Sequence, residues 1–237
     1  MPLKMLENSL TTSISLLKHI QQHKNQLAVL IDPEDFTEKP ADFLKKIPQN
    51  TSYLLVGGSQ VGAGKTQKVV ANLKAFTNLP IVLFPGDYSQ LTNEADAVLF
   101  LSLLSGRNPE YLIEQQIKAV DFLEKSNLEI IPTAYILVDG GCETAVVNVS
   151  KTQPIPPTEV RQIVKTALAG QFMGKQLIYL EAGSGAKQPV PLEVIAAVKK
   201  AIHIPLIVGG GIKTLAQREA AYQSGADIVV MGTAFEE

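Results

Sequence analysis

Short β-branched and apolar runs alternate with amphipathic stretches along the chain, the pattern that repeated βα units produce. A leading helix is predicted over Leu6–His23. Strands then follow at Leu27–Ile31, Tyr53–Val56, Ile81–Phe84, Ala97–Leu101, Glu129–Val138, Gln176–Leu180, Leu206–Val208 and Ile228–Met231. Helices are predicted between them at Ala41–Lys46, Thr66–Phe76, Pro109–Lys125, Thr158–Leu168, Leu192–Ala201 and Thr214–Ser224. The third gap breaks the rule, because the polar segment Asp87–Asn93 stands where a full helix belongs. A Pro-rich insertion, Lys151-Thr-Gln-Pro-Ile-Pro-Pro157, follows the fifth strand.

Eight strands in one series favour a closed (β/α)8 barrel over an open doubly wound sheet. The length of 237 residues suits one such barrel, so a single domain over 1–237 is expected. Two short echoes between the halves agree with this: Leu55-Val-Gly-Gly58 with Ile207-Val-Gly-Gly210, and Glu94-Ala-Asp-Ala-Val98 with Gly225-Ala-Asp-Ile-Val229. The sequence reaches Glu237 just past the last strand, so no closing helix is expected after it.

Composition narrows the partners. Hydrophobic residues at 46% supply a large core, while a net charge of -2 gives no general attraction to nucleic acid or anionic membranes. Anion affinity must then come from local backbone amides, a few cations or a metal. The single cysteine, Cys142, excludes an internal disulfide and a Cys-rich zinc site. With no secretion-signal layout in Met1-Pro-Leu-Lys-Met, a cytoplasmic location is expected. Peripheral contact with a lipid surface stays open.

Candidate chemistry gathers at strand ends. Tyr179-Leu-Glu-Ala-Gly-Ser-Gly185, Gly209-Gly-Gly211 and Gly232-Thr233 follow the sixth, seventh and eighth strands. Glycines let amides approach an anion closely, and phosphate commonly binds after the last two strands of such barrels. The alternative is that these glycines only make tight turns. Strand alternation puts Tyr179 and Glu181 on one face, directed into the barrel mouth, with Ser184 and the amides around Gly183 and Gly185 as further phosphate contacts. The bland reading of Glu181 is a carboxylate satisfied by a nearby lysine. Asp32 closes the first strand and Ser59 the second, a carboxylate and a hydroxyl suited to Mg²⁺ that diphosphate and water complete. Asp32 as a helix cap is the competing reading. Glu34 and Asp35 are expected at the surface.

Other signals are weaker. Gly58-Ser-Gln-Val-Gly-Ala-Gly-Lys-Thr66 approaches a nucleotide phosphate loop, but Ser59 occupies the place of its leading glycine. Arg107 or Asn108 is a candidate for a second anion, with a plain surface role as the alternative. His19, His23 and His203 lie away from strand C-termini, and Cys142 has no histidine near it in the chain.

Taken together, Leu30-Ile-Asp-Pro33, Val56-Gly-Gly-Ser59, Tyr179-Leu-Glu-Ala-Gly-Ser-Gly185, Val208-Gly-Gly-Gly-Ile212 and Met231-Gly-Thr233 resemble the geranylgeranylglyceryl phosphate synthase family, archaeal type and bacterial relatives. The resemblance implies a modified barrel whose third helix is replaced by a loop or strand-like segment, matching Asp87–Asn93. It implies an ether-forming prenyltransferase that joins a polyprenyl diphosphate to sn-glycerol 1-phosphate and releases diphosphate. Asp32 and Ser59 would hold Mg²⁺. Tyr179, Leu180, Glu181, Ala182, Gly183, Ser184, Gly185, Gly210, Gly211, Gly232 and Thr233 would hold glycerol phosphate. Glu181, beside Tyr179, would act on its hydroxyl. Assembly as dimers or hexamers is also implied, and bacterial members use a heptaprenyl chain, so the motif does not decide donor length. Phe84, Tyr135 and Ile136 are candidates for the prenyl groove. The rival functions are a sugar-phosphate isomerase, recruiting Asp32 and Glu181 as acid and base, and a non-catalytic barrel that binds a phosphorylated metabolite.

Overall fold

Residues 15–232 are described by the computed structural model, in which eight parallel strands close in chain order into a barrel. They are β1 (Gln26–Ile31), β2 (Thr51–Val56), β3 (Ile81–Leu83), β4 (Ala97–Leu103), β5 (Glu129–Leu137), β6 (Leu177–Glu181), β7 (Leu206–Gly209) and β8 (Ile228–Met231). Strand β8 returns to β1 in the pairs Gln26–Ile228 and Val29–Met231, which closes the ring. The TIM-type barrel predicted from the alternation is therefore the observed fold.

Alternation along each strand sorts the side chains into two cores. Tyr53, Leu55, Val82, Leu99, Tyr135, Leu177, Tyr179, Ile207 and Val230 fill the interior. The intervening residues, such as Ile136, Ile178, Leu180 and Val208, face outward under the helices. The helices on that outer layer are α2 (Pro40–Lys46), α3 (Lys65–Lys74), α4 (Gln115–Leu123), α5 (Ala145–Ser150), α6 (Val160–Phe172), α7 (Leu192–Ala201) and α8 (Leu215–Gln223). Helix α8 begins at a capping box in which Thr214 and Gln217 satisfy each other's backbone amides.

Several boundaries differ from the expectation, each for a local reason. Strand β4 runs on to Leu103, because it stays paired with β5 as far as Tyr135. Val138 leaves the strand and instead bridges Ile155 of the Pro-rich segment. The long helix after β4 opens with a π-type turn over Glu110–Glu114 before α4. Helix α5 was not expected; Thr144 caps it by accepting from the Val147 amide. Between β3 and β4 only one 3-10 turn forms, Tyr88–Gln90, whose start is fixed by the Asp87 carboxylate accepting from Ser89. The missing helix is thus observed, and its place on the barrel wall is left open.

A further helix, α1 (Leu16–Gln22), crosses the N-terminal end of the barrel. The first part of the expected Leu6–His23 helix lies outside the described residues. Glu129, at the start of β5, accepts from the Ser15 hydroxyl at 2.5 Å and from the amides of Leu16 at 2.6 Å and Leu17 at 3.0 Å. A carboxylate at a helix N-terminus satisfies otherwise orphaned donors and complements the dipole. Ile20 then enters the interior core, and the His19 ring meets the Tyr53 hydroxyl at 2.6 Å.

Closure also depends on Asp227, which is almost fully buried just before β8. Its carboxylate takes the Lys199 ammonium at 2.5 Å, the Leu206 amide at 2.8 Å and the Lys24 ammonium. Removing it strands a buried amide at the start of β7 and uncouples two cations. Asp227→Ala should cost about 2–3 kcal/mol, read as a lower urea midpoint at unchanged m-value.

Candidate active site

The C-terminal strand ends surround a cavity of about 470 Å³. Asp32, Ser59, Tyr179, Glu181, Ser184, Gly185, Gly210, Gly211 and Gly232 all line it. Candidates separated by two hundred residues in the chain are thus brought to one opening. Thr233 lies outside the described residues.

Glu181 is the last residue of β6 and sits on the interior face with Tyr179, as alternation requires. Its Oε1 accepts from the Gly183 amide at 2.7 Å. Burial pushes its carboxyl up to about 7, against the lowering effects of that amide and of the Tyr179 hydroxyl beside it. No lysine or arginine pairs with it among the described residues, so the bland reading of a salt-bridged glutamate does not hold. The Tyr179 hydroxyl is itself buried and has no hydrogen-bond partner among the described residues. Burial first, and then the Glu181 charge, raises its pKa well above that of a free phenol.

Room for this carboxylate comes from the neighbouring turn. Gly210 has φ +80°, and a Cβ there would lie 2.3 Å from Glu181 Oε1 and 2.6 Å from the Gly183 nitrogen. Only glycine allows both the backbone conformation and the approach. The turns after β6 and β7 therefore touch each other, and Gly232 lines the same cavity.

Not every residue of the β6 motif faces inward. Leu180 and Ala182 are buried in the helix-facing core, and the Ala182 amide is engaged by the Gly209 carbonyl at 3.0 Å. The Gly183 amide is taken by Glu181. Ser184 and Gly185 are the members of that loop exposed at the cavity.

Asp32 stands at the opposite side of the opening. It is half-buried and accepts from the Glu34 amide at 2.9 Å. Desolvation raises its pKa, with Asp35 and Glu34 adding like charge. A Cβ on Gly58 would lie 2.3 Å from Asp32 Oδ2, so this glycine leaves the space that the carboxylate occupies. Gln90 holds the Gly58 backbone, donating to its carbonyl at 2.8 Å, and so links the 3-10 turn to the Ser59 loop. Among the described residues no cation pairs with Asp32; Lys65 of the phosphate-loop-like segment pairs with Glu34 at 2.5 Å instead. Glu34 and Asp35 are exposed, as expected.

The cavity continues as an apolar channel lined by Phe100, Leu101, Leu103, Tyr111, Ala119 and Val146. It runs where the helix after β3 is missing and is walled by α4 and α5. Phe84 and Tyr135 line it, whereas Ile136 faces outward into the helix-side core and leaves the groove set.

Sequence reasoning missed two contributors. Lys213, directly after Gly209-Gly-Gly-Ile212, brings an exposed cation to the glycine-turn end. Helix α5 supplies Ala145, Val146 and Val149 to the wall; a threonine ahead of an Ala-Val-Val run was its available signal. Arg107 is used elsewhere, donating to the Leu104 and Gly106 carbonyls at 3.2 Å and 2.6 Å. With Asn108 it lines a separate depression, away from this cavity.

Comparison with known proteins agrees with this geometry. The chain is 55% identical to geranylgeranylglyceryl phosphate synthase of Zunongwangia profunda over 94% of its own length and 95% of that protein. It is 45% identical to the enzyme of that name from Pyrococcus furiosus, covering 88% of this chain and 83% of the other. A crystal structure of (S)-3-O-geranylgeranylglyceryl phosphate synthase from Thermoplasma acidophilum, in complex with its substrate sn-glycerol-1-phosphate, superposes with a TM-score of 0.88 at 34% identity. That alignment covers 94% of this chain and 92% of the other. The α-subunit of tryptophan synthase from Pyrococcus furiosus, at 12% identity and a TM-score of 0.55, shares the fold alone. With the PcrB family matching residues 19–237, nearly the full length, the chain belongs to the PcrB family.

Proposed function

We propose that this protein transfers a polyprenyl group from its diphosphate to a hydroxyl of sn-glycerol 1-phosphate, forming an ether and releasing diphosphate. The observation that carries this reading is Glu181: a buried carboxylate with a pKa of about 7, placed between glycine turns on one side and an apolar channel on the other. Near neutral pH such a group is ionised often enough to accept a proton and basic enough to hold it. Relatives carrying the synthase name, and a neighbour bound to glycerol phosphate, support the same chemistry.

The residues divide the task between two ends. Gly185, Gly210, Gly211 and Gly232, with Ser184 and Lys213, take the phosphate of the acceptor. That docking sets the acceptor hydroxyl beside Glu181, which removes its proton as the carbon–oxygen bond forms. Tyr179 stays a neutral phenol and turns its unpaired hydroxyl toward the same space. The channel takes the prenyl tail and keeps water from competing with the bound hydroxyl, each buried CH₂ contributing about 0.8 kcal/mol.

Asp32 and Ser59 suit Mg²⁺ on the chemistry of their donors. A half-buried carboxylate with acidic neighbours and no described cationic partner is costly when ionised, and a hard divalent cation removes that cost. With one carboxylate and one hydroxyl, such a site would be completed by substrate oxygens and water. When bound there, Mg²⁺ supplies positive charge that stabilises the departing diphosphate. We extend the reading to a cytoplasmic homo-oligomer built from one catalytic domain, a dimer or hexamer; no helix among the described residues is long and apolar enough to cross a membrane.

An assay with sn-glycerol 1-phosphate, Mg²⁺ and a ladder of prenyl diphosphates tests the whole reading. Failure to form product with every donor of the ladder would overturn it. Glu181→Gln should lower kcat at least about 100-fold while the KM for glycerol phosphate changes only a few-fold. The wild-type rate should rise with pH through an apparent pKa of about 7, as Glu181 loses its proton. The same burial works against stability. The folded carboxyl resists ionisation, so the native state loses stability between its unfolded value near 4.5 and about 7. Glu181→Gln should therefore be the more stable protein at pH 8, by on the order of 3 kcal/mol, with the advantage gone at pH 4. Asp32→Asn should leave glycerol phosphate binding intact by calorimetry, while turnover falls and needs more Mg²⁺ to saturate.

A further inference from the structure

Three aromatic rings stand together on the cavity wall between Glu181 and the Asp32 side. Phe84 follows β3, and its backbone lies against Gly57, next to the Gly58–Ser59 turn; a Cβ on Gly57 would meet the Phe84 carbonyl. The Phe84 ring stacks on Tyr179, centroids 5.2 Å apart and planes 22° from parallel. Tyr135 meets both rings edge-on, at 5.7 Å from Phe84 and 5.3 Å from Tyr179. Beyond an apolar wall, rings bring a quadrupole that aliphatic side chains lack.

Their electrostatics are distinctive. Burial holds the Tyr135 and Tyr179 phenols neutral, with pKa values raised well above the free phenol, so neither serves as a base. Each ring presents a negative face and a positive edge. Tyr179 covers one face of Phe84, and Phe84 is the one of the three left partly exposed, where it lines the cavity. Lys213 is the one lysine or arginine among the lining residues, and it sits by the glycine turns. This stretch of wall therefore favours positive charge and offers none.

We propose that Phe84 is a catalytic residue: its ring, backed by Tyr179 and braced by Tyr135, faces the allylic carbon of the prenyl donor and stabilises the positive charge that builds there. This inference rests on the prenyl-transfer reading. The bond between that carbon and the diphosphate oxygen breaks, its electron pair leaving with diphosphate. The acceptor oxygen supplies the pair for the new ether bond, and its proton passes to Glu181. Between the two events the carbon is electron-poor, and an aromatic face is the neutral group that attracts it without competing as a nucleophile. Such a platform acts on the transition state and not on ground-state binding, so it raises kcat and leaves KM nearly alone.

The test replaces Phe84 with mono-, di- and trifluorinated phenylalanine. Fluorine drains the negative face of the ring while hardly changing its volume, so a purely packing role predicts equal rates across the series. A cation platform predicts a stepwise fall in the single-turnover rate, about tenfold from phenylalanine to the trifluoro ring, with the KM for both substrates held. Phe84→Leu should be slower still, with its melting temperature checked separately. An active enzyme whose rate is flat across the fluorinated series would overturn the inference alone. An unsubstituted protein that makes no ether from any prenyl donor would overturn the prenyl-transfer reading and this inference with it.

Discussion

A carboxylate without a cation survives inside a protein only where the backbone makes space and supplies donors for it. Glu181 is held in this way. Gly210 stands back to leave room for one oxygen, and the Gly183 amide reaches that oxygen directly. Most of what distinguishes this barrel mouth follows from that arrangement. Two turns must come together at the ends of β6 and β7, which brings Ser184, Gly185, Gly210 and Gly211 to one edge of the cavity. On the prenyl-transfer reading, a substrate hydroxyl completes the surroundings of the buried acid, beside the unpaired Tyr179 hydroxyl. A larger residue at position 210 would collide with the Glu181 carboxylate.

Much of this was legible in the chain because barrels obey a simple periodicity. Short apolar, β-branched runs predict all eight strands, since a parallel strand buried on both faces reads as a near-continuous apolar run, and alternation within the sixth places Tyr179 and Glu181 inside. Loop glycines at the ends of the last three strands mark the candidate anion site because they fall together at one barrel mouth. The same alternation also explains the misplacement of Ile136. Read as a neighbour of Tyr135 it seemed a groove residue, but adjacent residues in a strand face opposite sides.

Other features left weaker traces. Helix α5 is six residues long, so neither period nor length announced it. Lys213 follows a glycine turn whose path decides where its side chain goes, and that path depends on contact with the Gln188–Pro189 backbone. Leu180 and Ala182 belong to the motif by sequence but to the outer core by geometry. A motif records which residues travel together, and it does not separate those that touch a ligand from those that hold the strand in place.

The α1 plug has a consequence for the chemistry at the far end. With Glu129 clamping the helix start and Ile20 driven into the interior, the barrel is stoppered below and filled by stacked side chains above. On the prenyl-transfer reading, the acceptor and the greasy donor both enter by the upper rim and would together form the lid of their own reaction vessel. Dryness at the reacting carbon would then come from the reactants themselves and end when the finished ether departs.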